Sequence, residues 1–145
     1  MTAQPCPLCS EDGGSVVLRD ALLRVVLVDD RDLPGFVRVI ANAHAREMTD
    51  LDVLTRDHMM RVVFAAEEAV REVFAPLKIN LASLGNAVPH VHWHVIARFT
   101  DDAFYPQPIW GTRRRETQAE VLAARRALLP ALRRQLTARF ANITT

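Results

Sequence analysis

Residues 90–96 read His90-Val91-His92-Trp93-His94-Val95-Ile96, so three of the chain's five histidines stand at strict alternation. A period of two belongs to an extended strand, whose successive side chains point to opposite faces. The three imidazoles then share one face, roughly 6–7 Å apart, while Val91, Trp93 and Val95 share the other, which reads as core. The chain must therefore build a sheet with one side covered and the other lined by rings. Near neutral pH an imidazole serves as nucleophile, proton donor or metal ligand. Chemistry is expected at this row.

The remaining sequence supplies such a sheet. Residues 15–18 and 22–28 are β-branched, apolar runs separated by Arg19-Asp20 and predict an antiparallel pair. A polar, turn-rich connector over 29–35 leads to a third strand over 36–40, with His44 just past its end. Residues 49–75 read as a helix, because Met59, Val63, Ala66, Val70 and Val73 recur at spacings of four and three; Pro76 stops it. Two further strands follow over 78–84 and 91–99. Between them, Gly85-Asn86 takes positive φ at little cost and predicts a tight path into the histidines.

Residues 101–111 form an aromatic loop stiffened by prolines, and Thr117-Gln118-Ala119-Glu120 has the form of a capping box. That box opens a helix with Val121, Leu122, Leu128, Leu129, Leu132 and Leu136 on its apolar side, which Pro130 kinks or divides. The sum is an α+β architecture: a five-stranded antiparallel sheet, a central helix between strands three and four, and a C-terminal helix. The helices cover one side of the sheet.

Composition sets outer limits. A chain of 145 residues buries a core without staples and reads as one domain, 1–145, with its core at about 5–100 and a C-terminal loop and helix over 101–145. Its 18 Lys+Arg against 17 Asp+Glu give no field of the kind that a nucleic-acid polymer selects. The arginines at 113–115 read as a solvated face. No apolar run approaches the length of a membrane span. The start Met1-Thr-Ala-Gln-Pro-Cys lacks the basic residues and apolar block of a signal peptide, so a cytoplasmic protein without a membrane partner is expected.

The middle ring, His92, is read as a nucleophile toward phosphorus. That requires a neutral ring whose other N–H is held by an acceptor, and a strand offers backbone carbonyls for the purpose. His90 and His94 on either side can grip phosphate oxygens or protonate a leaving group, which is much of what phosphoryl transfer needs. Asn80 and Asn86 can add neutral hydrogen bonds, and the amides around Gly85 an anion-binding nest. Two other readings stay open. The rings are scaffold residues satisfied by polar neighbours, or they chelate a metal such as zinc, although no acidic base accompanies the row.

The stretch at 90–96 resembles the signature of the histidine-triad (HIT) family of nucleotidyl hydrolases and transferases. The likeness extends upstream to Gly85-Asn86, where the family often has Gly-Gln, and downstream to Arg98. The run from Pro34-Gly35-Phe36 to His44 is similar to the family's third strand. The match spans roughly residues 5–100 and implies a HIT-like fold with a homodimer whose sheets continue across the interface. It implies nucleoside phosphoanhydrides or phosphoramidates as substrates, dinucleoside polyphosphates among them. His92 is then the covalent nucleophile forming a nucleotidyl-histidine, with His94 and His90 as phosphate contacts and proton managers. Asp29 falls near the position of an acidic residue that holds ribose hydroxyls, and Asn80, Gly85 and Asn86 join it as substrate contacts. The chain departs from the pattern at Asn86, one methylene shorter than Gln, at Ala87 in place of a Ser or Thr, and at Ala97 in place of Pro. The turn from Asn80 to His90 is also one residue short. In the loop, Trp110 reads as plain packing, a base cover or a dimer seam.

Cys6-Pro-Leu-Cys9 holds both cysteines. Such a knuckle is half of a tetrahedral zinc site, and His44 and His90 are the candidates to close it. A redox pair and two ordinary thiols are the other readings. Catalysis requires no cofactor in this scheme; the zinc is structural, and with His90 as its ligand, His92 and His94 carry the chemistry. Two rivals remain: a nucleotide-binding sensor or adaptor without turnover, and a metalloprotein using the histidine row as ligands. His58 is assigned no role.

Overall fold

In the computed structural model, residues 5–143 are described; residues 1–4, on which the reading of the N-terminal start partly rests, and 144–145 lie outside the described residues. Five strands form one antiparallel sheet: β1 (Ser15–Arg19), β2 (Leu23–Leu27), β3 (Val37–Ala41), β4 (Lys78–Ala82) and β5 (His92–Arg98). Their order across the sheet is β1-β2-β3-β5-β4. The strand bearing the histidines is therefore internal, flanked by β3 and β4.

One face is the core. Leu23, Val25, Val37, Val39 and Val95 pack against Met59, Val63, Ala66 and Val70 of helix α2 (Val53–Phe74) and against Leu132 and Leu136 near the C-terminus, all of them buried. Each such Leu, Val or Met side chain contributes about 1.5–3 kcal/mol by leaving water. The predicted stripe along the helix is thus the stripe the sheet uses. The helix begins later than residue 49, because Asp52 caps it: its carboxylate accepts from the Thr55 amide at 2.9 Å and the Thr55 hydroxyl at 2.7 Å. Residues Met48–Asp50 make a short 3-10 turn instead. Ala75 ends the helix in the left-handed region (φ 44°), just ahead of Pro76.

The C-terminal helix is divided, into α3 (Ala119–Arg126) and α4 (Leu129–Ala141). A proline ring clashes with the carbonyl four residues back, here that of Arg126, and so ends the first helix. Pro130 then sits in the first turn of α4, where its missing N–H costs nothing. The capping box does not form. Gln118 is the N-cap without a side-chain bond, and the Thr117 hydroxyl donates to the Asp101 carbonyl at 2.7 Å.

The opposite face carries a short N-terminal helix, α1 (Pro7–Ser10), seated through Leu8 on Val26 and Ile40. Arg24, buried beneath it, donates to the carbonyls of Leu8 (2.7 Å), Asp12 (2.9 Å) and Glu11 (3.1 Å), so its charge is compensated by main-chain dipoles. The aromatic loop is organised by Asp102, which is 1% exposed. Its carboxylate pairs with Arg98 and accepts from the amides of Phe99, Phe104 and Tyr105. Among the described residues, no helix is long and apolar enough to cross a membrane.

Candidate functional site

Alternation along β5 puts His92 and His94 on the face away from α2, with ring centroids 4.9 Å apart and edge to face. His92 Nδ1 lies 2.5 Å from the carbonyl oxygen of His90. A carbonyl only accepts, so Nδ1 carries the proton and Nε2 keeps the lone pair. The strand thereby fixes both the tautomer and the ring plane. Burial holds this ring's pKa below the ordinary histidine value, and the Arg38 guanidinium pushes in the same direction against the bond to His90. A neutral imidazole with a free Nε2 is the nucleophilic form.

His94 lies deeper. Its ring packs against Phe36 (5.4 Å between centroids) and Trp110 (5.0 Å), and its Nδ1 is buried without a hydrogen-bond partner among the described residues. Burial, then His92 and Arg38, lower its pKa to about 3. Both rings line a cavity of about 360 Å³, bordered also by Arg38, Gly85, Asn86, Ala87 and Trp110. That size accommodates a nucleotide-scale ligand. Gly85 reaches φ 76° at the turn, a conformation open to glycine, and so brings the Gly85-Asn86 backbone to the rim.

His90 leaves the row. Its Nε2 is 2.7 Å from the Ala41 carbonyl, so that nitrogen donates and Nδ1 presents a lone pair. Around that lone pair stand Cys6 Sγ at 3.4 Å, Cys9 Sγ at 3.5 Å and His44 Nδ1 at 3.3 Å, with Cys9 Sγ and His44 Nδ1 also 3.4 Å apart. All four ligand atoms lie within 4.8 Å of one another. Tetrahedral zinc, with N and S ligands at about 2.0–2.1 and 2.3 Å, has N–N and N–S edges of about 3.3–3.6 Å. The donor set and its spacing fit zinc, and the Nε2 bond to a carbonyl is the usual outer support of a ligating imidazole.

Of the residues singled out in the sequence, Gly85, Asn86, His92 and His94 meet at one cavity, and Cys6, Cys9, His44 and His90 meet at the cluster. Asp29 lines a different crevice, between the β2–β3 connector and α4, with Arg126 and Arg133. Asn80 accepts a bond from Arg98 at 2.7 Å and borders a cavity with Tyr105 and Pro106. His58 pairs with Asp20 at 2.7 Å. Sequence reasoning passed over Arg38 and Phe36. The signal was available at Arg38: one charge within the otherwise apolar run Val37-Arg38-Val39-Ile40.

Comparison with known proteins agrees with this fold. The family model described as HIT domain matches residues 10–101. A histidine triad protein from Bradyrhizobium japonicum has a similar solved structure (TM-score 0.71, 28% identity), covering 86% of this chain and 92% of that one. Another, from Marinobacter aquaeolei VT8, gives a TM-score of 0.69 at 28% identity, over 92% of this chain and 97% of that one. A curated relative, AP-4-A phosphorylase of Mycobacterium tuberculosis, is 28% identical over 120 residues, 77% of this chain. The alignment spans 62% of that relative's length.

Proposed function

This chain belongs to the HIT domain family, and from that premise we propose that it processes nucleotides by covalent nucleotidyl transfer through His92. Nε2 of His92 attacks the α-phosphorus of a nucleoside phosphoanhydride or phosphoramidate. The P–O or P–N bond to the leaving group breaks, and the leaving group departs with that electron pair and takes up a proton. Water or another acceptor then attacks the nucleotidyl-histidine, its proton is lost, and Nε2 regains its lone pair. The observation that carries this reading is the 2.5 Å bond from His92 Nδ1–H to the His90 carbonyl, which leaves Nε2 as the nucleophilic nitrogen of a ring lining the cavity.

In this scheme His94 flanks the phosphate, while Gly85 and Asn86 hold its oxygens from the turn. Asp29 and Asn80 border other cavities, and no role in the step is assigned to them. The relative named AP-4-A phosphorylase supports a dinucleoside polyphosphate as the first substrate to test. We also propose that Cys6, Cys9, His44 and His90 hold a structural zinc. When bound, the ion ties together the N-terminal knuckle, the segment after β3 and the approach to β5, and no chemical step passes through it. β4 is an edge strand, and its pairing with a second copy gives the proposed homodimer.

Mixing the protein with diadenosine tetraphosphate or an adenosine phosphoramidate and quenching rapidly is expected to trap an acid-labile adenylyl adduct. In His92→Asn the adduct disappears and turnover falls by at least about 1,000-fold. Absence of adduct and of turnover with both substrates, while calorimetry registers tight nucleotide binding, makes the protein a sensor instead.

A further inference from the structure

Two guanidinium groups are buried against the sheet and satisfied there, and a third, that of Arg38, is half-buried. Arg24 is held by four main-chain carbonyls, and Arg98 by the Asp102 carboxylate, the Asn80 side chain and the Gln107 carbonyl. Arg38 is different. It stands on β3 directly opposite His94 in the β3–β5 ladder, so both side chains leave the sheet on the same face. Its neighbours Val37 and Val39 are fully buried, which makes this the interior of the sheet. Its Nε is buried with no hydrogen-bond partner, and Nη1 makes one bond, to the Gly13 carbonyl at 3.2 Å. Among the described residues no carboxylate lies within ion-pair distance of it; Asp30 acts on it only through space.

A half-buried cation in this position costs free energy unless an anion completes it. The side chain is nevertheless held in place, its guanidinium carbon 5.3 Å from the centre of the Phe36 ring. It borders the same cavity as His92, His94 and Asn86. At that wall the turn offers Ala87, which has no donor beyond its amide. We propose that Arg38 is the phosphate clamp of the site, its guanidinium donating hydrogen bonds to phosphoryl oxygens of the substrate as negative charge develops on them. The proposal rests on the nucleotide reading given above and extends it to a residue on a different strand. A planar fork with an unmatched N–H suits phosphate oxygens, and an arginine at this place does more than a lysine could, because the ammonium cannot make two parallel bonds.

Binding and turnover separate the clamp from the overall function. Calorimetry on the wild type, Arg38→Gln and Arg38→Lys would use inorganic pyrophosphate, AMP and adenosine as probes. Arg38→Gln is expected to bind pyrophosphate and AMP about 30-fold more weakly and adenosine within about twofold of wild type. Arg38→Lys falls between. With diadenosine tetraphosphate, kcat is expected to drop by about 100-fold or more in Arg38→Gln, beyond the change in KM. In the wild type, the Arg38 Nε–H resonance, identified by its loss in Arg38→Lys, should move downfield on adding pyrophosphate. That last measurement needs no variant other than for assignment, so a poorly folded Arg38→Gln does not stall the test. Equal loss of adenosine and pyrophosphate binding, an unmoved Nε–H resonance, or wild-type affinity for pyrophosphate in Arg38→Gln overturns the clamp. Failure of wild-type turnover alone overturns the catalytic reading and leaves a nucleotide-binding Arg38 intact.

Discussion

An imidazole has two nitrogens with different fates, and in this site each ring divides them differently. His92 gives Nδ1–H to a carbonyl and keeps Nε2 for the cavity; His90 gives Nε2–H to Ala41 and turns Nδ1 to the thiols. His94 has neither arrangement, since its Nδ1 is buried and unpartnered. Burial first, then the neighbouring His92 and the Arg38 cation, bring its pKa from 6.5 to about 3. The native ring therefore refuses a proton that the unfolded chain accepts below pH 6.5. Its contribution to stability is complete above that pH and is lost as the pH falls from 6.5 toward 3, by about 1.4 kcal/mol per pH unit from this group. Ring resonances of His94 are expected to stay in the neutral form at pH 5, and urea midpoints to fall between pH 7 and 5 less steeply in His94→Phe than in wild type. A His94 that titrates near 6.5 removes the argument. The alternation made His92 and His94 legible in the sequence, because a strand needs only a period of two to place its faces. At Arg38 the sequence showed a lone charge in an apolar run but not its place opposite His94, because that pairing depends on a register that no local pattern specifies.

At the level of elements, apolar periodicity carried the most. Of the stripe Met59, Val63, Ala66, Val70 and Val73, the first four are fully buried and Val73 is half-buried against the core, and all five expected strands exist within a few residues of their expected bounds. What the sequence concealed was competition for side-chain hydrogen bonds. Thr117 had the spacing of a cap but bonds Asp101 instead, and Asp52, outside any capping box, starts α2. The same holds for the loop after β5, whose order comes from one buried carboxylate rather than from its prolines. Asp102 satisfies Arg98 and three amides, and Trp110 stands against His94 near the end of the loop so organised. Removing the carboxylate leaves the 3%-exposed Arg98 buried with its charge unpaired. Asp102→Ala is therefore expected to lose about 3–5 kcal/mol in urea unfolding. Where the variant remains folded, KM should rise and Trp110 fluorescence should become more solvent-like. A loss under about 1 kcal/mol would mean that Asp102 is not what holds the loop.

Across the whole molecule, the cysteine–histidine cluster joins segments far apart in sequence: the knuckle at Cys6 and Cys9, His44 after β3, and His90 before β5. The Cys-x-x-Cys spacing announced half of it, but its closure needed the β3–β5 pairing that brings His44 and His90 to the same end of the sheet. Four ligands already at tetrahedral spacing bind an ion with little further ordering, so binding to the native chain alone translates into stability. With zinc in large excess over its dissociation constant, the melting temperature should lie about 10 °C above that of the chelated protein. Elemental analysis is expected to find one zinc per chain, and Cys6→Ser with Cys9→Ser to find none and to melt where the chelated wild type melts. Turnover measured well below that temperature should survive chelation, since the His92 tautomer is set by a backbone carbonyl and not by the ion. A wild-type chain free of zinc, or one whose melting point ignores both chelator and cysteine replacement, sinks the structural-zinc reading. Turnover that vanishes on chelation while the fold persists means instead that the ion takes part in the chemistry.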